Sequence, residues 1–354
     1  MTDSSIARLR LSAQKMVTSS FTKPEEVVGW LGAVQAQDFL GSLWAIGQRM
    51  KATTETDIEQ AIEEKRIIRT WPMRGTLHFV LPEDVRWMLK LLTPRVFTRA
   101  ATNYRQAGLD KTIFNKSRKL LENTLRDREP MTRDEVYDVL ERAKISTGNT
   151  RGLHITGYLA MEGVLCLGPR RGKQSTLTLL DQWIPDSKLL SVDESLAELA
   201  TRYFISHGPA TLADFVWWSG LAMKDATKGL ELVKSKLVSE TINDQVYWMS
   251  NDLTLPKSNP NQLSLIPAYD EFLVGYKDRS ASVNSTIEAK VRNSIFSPAI
   301  IHNGQLIGTW KRTIQKKDVS IELIPYSKLS SAQQNAIAKE AKRYSRFIGL
   351  PLET

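Results

Sequence analysis

A chain of 354 residues is too long for one small core and points to two or three domains. Its 42% hydrophobic and 25% charged content is that of a soluble globular protein, and its single cysteine, Cys166, excludes an internal disulfide and a cysteine-based metal cage. The 48 Lys and Arg against 39 Asp and Glu give a formal net charge of +9, a balance that favours a polyanionic partner, usually nucleic acid, although net charge alone equally fits a merely basic soluble protein.

The opening "MTDSSIARLRL" lacks the long apolar core of a signal peptide, and the apolar "GVLCLG" around Cys166 is far too short to span a bilayer. A cytoplasmic protein with no membrane partner is expected, with Cys166 as a small core residue. "FTKPEEVVGWLGAV" reads as a helix with Thr22 as N-cap, Pro24 in the first turn and Glu25 at the capping-box position. "IIRTWPMRGTLHFVL" reads as strand, turn, strand, and "PEDVRWMLKLLTP" as a helix held between two prolines.

The next segment is clearer. In "MTRDEVYDVLERAKI", Thr132 and Glu135 form a capping box, and Val136, Val139, Leu140 and Ala143 mark one apolar face. "STGN" is a turn, "RGLHITGYLAMEGVL" has helical spacing, and "LGPRRGKQS" is a basic Gly/Pro-broken loop between two short strands. Helices followed by a basic hairpin describe a winged helix, a variant of the helix-turn-helix DNA-binding motifs. The order repeats in "SLAELATRYFISHG", "TLADFVWWSGL" with a Thr-x-x-Asp cap at Thr211, "KDATKGLELVKSKL", and "LVSETINDQVYWMS" with its Asn-Asp turn.

Beyond it, "SLIPAYDEFLVGYKDR" and "SPAIIHNGQLIGTWKR" read as strands around turns, and "SSAQQNAIAKEAKRYSRFIG" as a basic amphipathic helix. The expected fold class is α+β and helix-rich. Tandem winged-helix units with short hairpin wings would pack into one concave body with a C-terminal α/β portion. The expected boundaries are 1–110 for an N-terminal winged-helix-like unit, 111–190 and 191–257 for the second and third, and 258–354 for the β-rich portion and terminal helix.

The four histidines, His78, His154, His207 and His302, show no metal-ligand spacing, and no cofactor is expected. His207, before Gly208-Pro209, reads as a turn residue. The unusual stretch is "VQAQD" at 34–38. In a helix Gln35 and Gln37 would point about 200° apart, whereas in an extended segment they share a face and Ala36 turns the other way. The apolar face through Val27, Leu31 and Val34 predicts that the helix loosens at Gln35. Local sequence alone favours the plainer alternative, in which one glutamine caps the helix end and the other is solvated. Asp38 reads as structural or capping.

Five stretches in order, "VGWLGAVQAQDF", "RTWPMRGTLHFV", "HGPATLADFVWWSGL", "IPAYDEFLVGYKDR" and "NGQLIGTWKR", resemble the AlkZ/YcaQ-like DNA glycosylases over nearly the whole chain. Each motif alone is weak, and the ordered set is specific. In that family a Gln-apolar-Gln or Gln-apolar-Asp motif carries catalysis. The Gln-x-Gln form here resembles the AlkZ branch, which implies Gln35 and Gln37 as the catalytic pair. It also implies a monofunctional glycosylase acting on bulky N7- or N3-alkylated purines in double-stranded DNA, including one side of an interstrand crosslink. A monomer is expected.

Neutral amides suit such a substrate. An alkylated purine is cationic and already a good leaving group, so the enzyme needs only to position a water and face the oxocarbenium-like sugar with a carbonyl dipole. For DNA contacts, Arg74 precedes Gly75 in the first hairpin. Thr76 and His78 share a face by alternation and are counted with it, against the plainer reading of His78 as a satisfied, half-buried histidine. Arg170, Arg171 and Lys173 lie on a hairpin tip, and Arg151 leads into a recognition-like helix. The plainer reading of these charges is solubility. Trp217 and Trp218 fit a helix core, and Tyr269 to Arg279 has no assigned chemistry. The competing function is a non-catalytic winged-helix transcription regulator, which would have no use for the glutamine pair.

Overall fold

The computed structural model describes residues 3–257, 259, 262–284 and 296–353. Its contacts group into two compact units. Unit 1 gathers Met1–Ile58, Leu196–Trp218 and Ala222–Thr354, and unit 2 gathers Glu59–Ser195 and Ser219–Leu221.

Three stretches share one order of elements. The first is helix α2 (Pro24–Leu31), after α1 (Asp3–Ala13), then short strand β1 (Val34–Gln35), helices α3 (Phe39–Gly47) and α4 (Glu55–Glu63), and the hairpin β2 (Ile68–Met73) and β3 (Thr76–Val80). After α5 (Val85–Gln106) the order returns as α6 (Lys111–Leu125), β4 (Met131–Thr132), α7 (Arg133–Arg142), α8 (Arg151–Met161), and the hairpin β5 (Leu165–Arg171) and β6 (Gln174–Leu179). Here β4 pairs with β6, with Met131 opposite Leu177. After α9 (Leu180–Trp183) comes the third stretch, α10 (Val192–His207), α11 (Leu212–Ser219), α12 (Met223–Val233), and the hairpin β7 (Leu237–Ile242) and β8 (Gln245–Ser250). A single bridge from Ala210 to Trp248 stands where β4 pairs with β6 in the second. Helix, short strand or bridge, two helices and hairpin is the winged-helix arrangement.

Local chemistry explains many of these ends. Thr132 and Glu135 cap α7 reciprocally, Oγ1 accepting from Glu135 N and Oε2 from Thr132 N. Thr211 and Asp214 do the same before α11. The β7–β8 turn places Asn243 and Asp244 at φ 49° and 61°, the left-handed pair of a tight hairpin. Two ends differ from expectation. The cap of α2 is Lys23 rather than Thr22, and the box acid is Glu26 rather than Glu25, accepting from the amides of Thr22 and Lys23. Helix α5 does not stop at Pro94 but runs through it for 22 residues. Pro94 sits on the exposed side, where the carbonyl of Lys90, left without its helical donor, has access to water.

In unit 2, strands run β3-β2-β5-β6-β4, all paired antiparallel. The core beneath includes Tyr104, Phe114, Leu121, Leu140, Leu159 and Leu165. Phe114 stacks on Tyr158 with centroids 3.8 Å apart. Cys166 is fully buried, as expected of a core residue.

The C-terminal part of unit 1 is a four-stranded antiparallel sheet ordered β12-β11-β10-β9, from β9 (Leu263–Ile266), β10 (Ala299–His302), β11 (Gln305–Ile314) and β12 (Val319–Pro325). The "AYDEF" stretch is not strand but a turn entering a short helix, α13 (Glu271–Val274). The last helix, α14 (Ser331–Ile348), packs Tyr344 and Phe347 against Trp44. Trp44 and Trp310 donate to the carbonyls of Leu265 and Ile266, which ties α3 and β11 to β9. Among the described residues no helix is long and apolar enough to cross a membrane.

Candidate active site

The backbone at "VQAQD" is not helical. Helix α2 ends at Leu31, four residues before Gln35, because Gly32 adopts φ 79°, a conformation that ordinary side chains avoid. Val34 and Gln35 are extended, and α3 begins at Phe39. Val34 and Ala36 are fully buried, Gln35 is 8% exposed and Gln37 is exposed. The apolar side chains anchor the segment, Gln35 is largely enclosed, and Gln37 is open to solvent. Asp38 occupies the cap position of α3 without a side-chain cap bond, and its carboxylate pairs with Arg312 at 3.2 Å.

What holds the segment is Glu271. Its Oε1 accepts the backbone N–H of Gln35 at 3.0 Å, and its Oε2 accepts Trp218 Nε1–H at 2.9 Å and lies 3.4 Å from His207 Nε2. All three partners and Glu271 itself are buried. A carboxylate in such a place must be hydrogen-bonded to be tolerated, and here both oxygens are engaged. Tyr203 stacks on the His207 ring at 4.8 Å.

The preceding residue anchors the same turn. Asp270 forms a bidentate pair with Arg49, Oδ1 to Nη2 at 2.8 Å and Oδ2 to Nη1 at 2.9 Å. Its Oδ1 also accepts from Phe272 N, and its Oδ2 from Gln48 Nε2. Gln14 bridges onward, accepting from Arg49 and donating to the Glu271 carbonyl and the Tyr276 hydroxyl. Arg10 lies over the Tyr276 ring at 3.7 Å and pairs with Asp214 at 3.6 Å. Two of the three buried carboxylates are thus ion-paired with guanidiniums, and the third, Glu271, is satisfied by hydrogen bonds, the condition under which buried charge is retained.

His207 is the last residue of α10 rather than a turn residue, and it is fully buried. Burial pushes its imidazole below the ordinary value. The bond and charge of Glu271 pull it upward, and the charges of Arg49 and Arg10 oppose that. The ring is therefore neutral at neutral pH.

The expected DNA contacts separate into two kinds. Arg74 and Gly75 form the β2–β3 turn at φ 55° and 75°, and Arg74 Nη2 lies 3.2 Å from His78 Nε2. His78 is fully buried rather than half-buried, with Nδ1 3.0 Å from the Thr76 carbonyl. Arg74 and Thr76 are partly exposed, and Lys173 is exposed at the tip of β5–β6. The other three arginines are tied to protein. Arg151 donates to the carbonyls of Ser146, Ala107 and Gly108. Arg170 pairs with Glu59 at 3.6 Å, and Arg171 with Glu135 at 2.7 Å and the Pro130 carbonyl. Of the two tryptophans, Trp218 is core and Trp217 is 41% exposed, under the Arg279 guanidinium.

Arg49, His207, Asp270 and Glu271 escaped sequence reasoning. Their one signal was two adjacent acids in "AYDEFLVGY", an apolar setting where carboxylates need partners.

The second and third stretches each follow the element order of a winged helix. A family model described as "DNA glycosylase AlkZ-like" matches residues 28–347. An interstrand DNA cross-link repair glycosylase of Streptomyces sahachiroi is 24% identical over 360 aligned residues, spanning 96% of this chain and 95% of that protein. The solved structure of the Streptomyces sahachiroi DNA glycosylase AlkZ has the same fold, with a TM-score of 0.80 and 21% identity over 100% of this chain and 99% of that one. The chain belongs to the AlkZ-like DNA glycosylase family and is a DNA glycosylase.

Proposed function

We propose that the enzyme is a monofunctional glycosylase for cationic N7- and N3-alkylated purines in double-stranded DNA, interstrand crosslinks among them, with Gln35 and Gln37 as its catalytic groups. The observation that carries this reading is the extended, non-helical backbone at Gln35, fixed through its N–H by buried Glu271. Gln35 lies in this anchored segment and is largely enclosed, and Gln37 just after it is open to solvent.

The chemistry follows from the side chains. A glutamine carbonyl accepts a hydrogen bond from water and presents its negative end to positive charge. As the C1′–N bond breaks, its electron pair neutralises the cationic base. The water oxygen bonds to C1′, and its proton passes to solvent. A neutral amide cannot protonate a leaving group, so an unmodified purine, which needs protonation, is a poor substrate. The cross-link repair described for the Streptomyces relative supports including crosslinks.

Arg74, Thr76 and Lys173 are proposed as DNA contacts, with the buried His78 supporting Arg74 from beneath rather than touching DNA. Arg151, Arg170 and Arg171 belong to the same proposal, but DNA would compete with the partners they already hold. The enzyme is proposed to act as a monomer in the cytoplasm. Defined duplexes carrying N7-alkylguanine, N3-alkyladenine or an N7–N7 crosslink, scored for abasic sites, test the substrate class. Release of cationic bases with none from undamaged DNA is expected. Sequence-specific binding to one operator without base release would support the regulator instead.

A further inference from the structure

Helix α5 carries five basic residues and no acidic one in 22 residues, within a chain whose acids are nearly as frequent as its bases. Arg86 is used internally, paired with Asp181 at 2.7 Å. Lys90, Arg95, Arg99 and Arg105 are exposed. Among the described residues, no carboxylate lies within ion-pair distance of Lys90, Arg95 or Arg99. Of the other exposed residues of the helix, Thr98, Thr102, Asn103 and Gln106 are neutral hydrogen-bonding groups and Pro94 is uncharged.

This helix is joined to the first hairpin. A Cβ built on Gly75 would stand 3.2 Å from Val96 Cγ1, so the turn bearing Arg74 rests on the middle of α5, beside Arg95. The C-terminal end of α5 is fixed by Arg151, which donates to the carbonyls of Ala107 and Gly108 just beyond it. The result is a rigid rod whose cations are unspent, whereas the charges of the β5–β6 wing are largely neutralised by Glu59 and Glu135.

We infer that the exposed face of α5, extended by the Arg74 turn, is the main phosphate-binding surface of unit 2 and holds the backbone of duplex DNA. From Lys90 to Arg105 the helix rises about 22 Å at about 1.5 Å per residue. Over that length a DNA strand presents about six phosphates at roughly 3.4 Å of axis each. Four cations with interspersed hydroxyl and amide donors suit a backbone contact, which positions without reading sequence. An ordinary solvated helix face would mix signs to remain stable and soluble. This surface requires only that the enzyme acts on DNA and is independent of the glutamine assignment.

The test reads binding rather than base release. Affinity for an undamaged duplex of about 20 base pairs is measured by fluorescence anisotropy across a salt series. The combined variant Lys90→Gln, Arg95→Gln, Arg99→Gln is compared with Lys173→Gln and with the unaltered enzyme, each checked for fold by circular dichroism. Each lost phosphate contact flattens the slope of log K against log salt by about 0.9. The triple variant should flatten it by about 2 to 3, and Lys173→Gln by one at most. The single variants Arg95→Gln and Arg99→Gln should each flatten it by about one. An unchanged slope in the triple variant, or an unaltered enzyme whose binding does not respond to salt, overturns the inference.

Discussion

The backbone N–H of Gln35 is held at 3.0 Å by a carboxylate 236 residues later in the chain, that of Glu271. The same carboxylate accepts from Trp218 and touches His207, so the glutamine segment is referenced to α10, α11 and α13 together. Removing it should misplace Gln35 rather than remove chemistry. In Glu271→Gln, one amide arm can only donate, and it meets a buried donor. A misplacement of about 1 Å can cost roughly 100-fold in rate. Base release by this variant should therefore fall at least tenfold in single-turnover kcat, while its affinity for undamaged duplex stays within twofold. A loss confined to DNA affinity would contradict the positioning role.

The Arg49–Asp270 pair is fully buried and bidentate. Breaking such a pair by removing one partner typically costs about 3 to 5 kcal/mol, because the other charge stays buried alone. Arg49→Met should lower the urea midpoint strongly. Adding Asp270→Asn should restore part of the loss, since the amide oxygen can still accept from Phe272 N while the unpaired charge is gone. Equal or greater loss in the double variant would show that the ion pair is not the source of the effect.

His207 sets a pH dependence. Burial lowers its folded value below the roughly 6.5 of an unfolded imidazole. Below about pH 6.5 the unfolded chain takes up a proton that the folded chain does not. The stability contribution is complete above about pH 6.5 and is lost as pH falls toward the lowered folded value. Urea unfolding at pH 7.5 and 5.5 should show this loss, and His207→Gln should shrink the difference between the two.

Cys166 is fully enclosed, and burial pushes its thiol up, so thiolate is absent at neutral pH. Iodoacetamide should leave the folded enzyme unlabelled and fully active, and should label it only in denaturant, as intact-mass measurement would show.

Much of the fold is written locally. The box of Thr132 and Glu135, the Thr211–Asp214 cap and the left-handed Asn243-Asp244 turn each depend on residues within three positions, so short windows disclose them. The repeat of helix, strand, helix, helix, hairpin follows from such signals. Expectation failed where a distant partner or one backbone angle decides. Gly32 stops α2 before its apolar spacing ends, and Pro94 is tolerated because it falls on the exposed side of α5. The wing arginines looked free in sequence, but Glu59 and Glu135 reach them from other elements. The clamp of Glu271 on Gln35 spans most of the chain and has no local trace beyond an acid in an apolar run.

The glutamine pair also gains meaning from the repeat. In each stretch the segment between the first and second helices is a short extended piece, Val34–Gln35, Met131–Thr132 and the Ala210 bridge. The second and third use it for caps at Thr132 and Thr211, and the first places Gln35 there and Gln37 just after it.

The most direct test is single-turnover release of N7-methylguanine from a defined duplex by Gln35→Ala and Gln37→Ala, with binding to undamaged DNA measured alongside. Each substitution should reduce release at least 100-fold, the scale set by positioning and dipole stabilisation, with affinity within about twofold of the unaltered enzyme. Release by both variants at the unaltered rate would contradict the assignment of these two amides to catalysis.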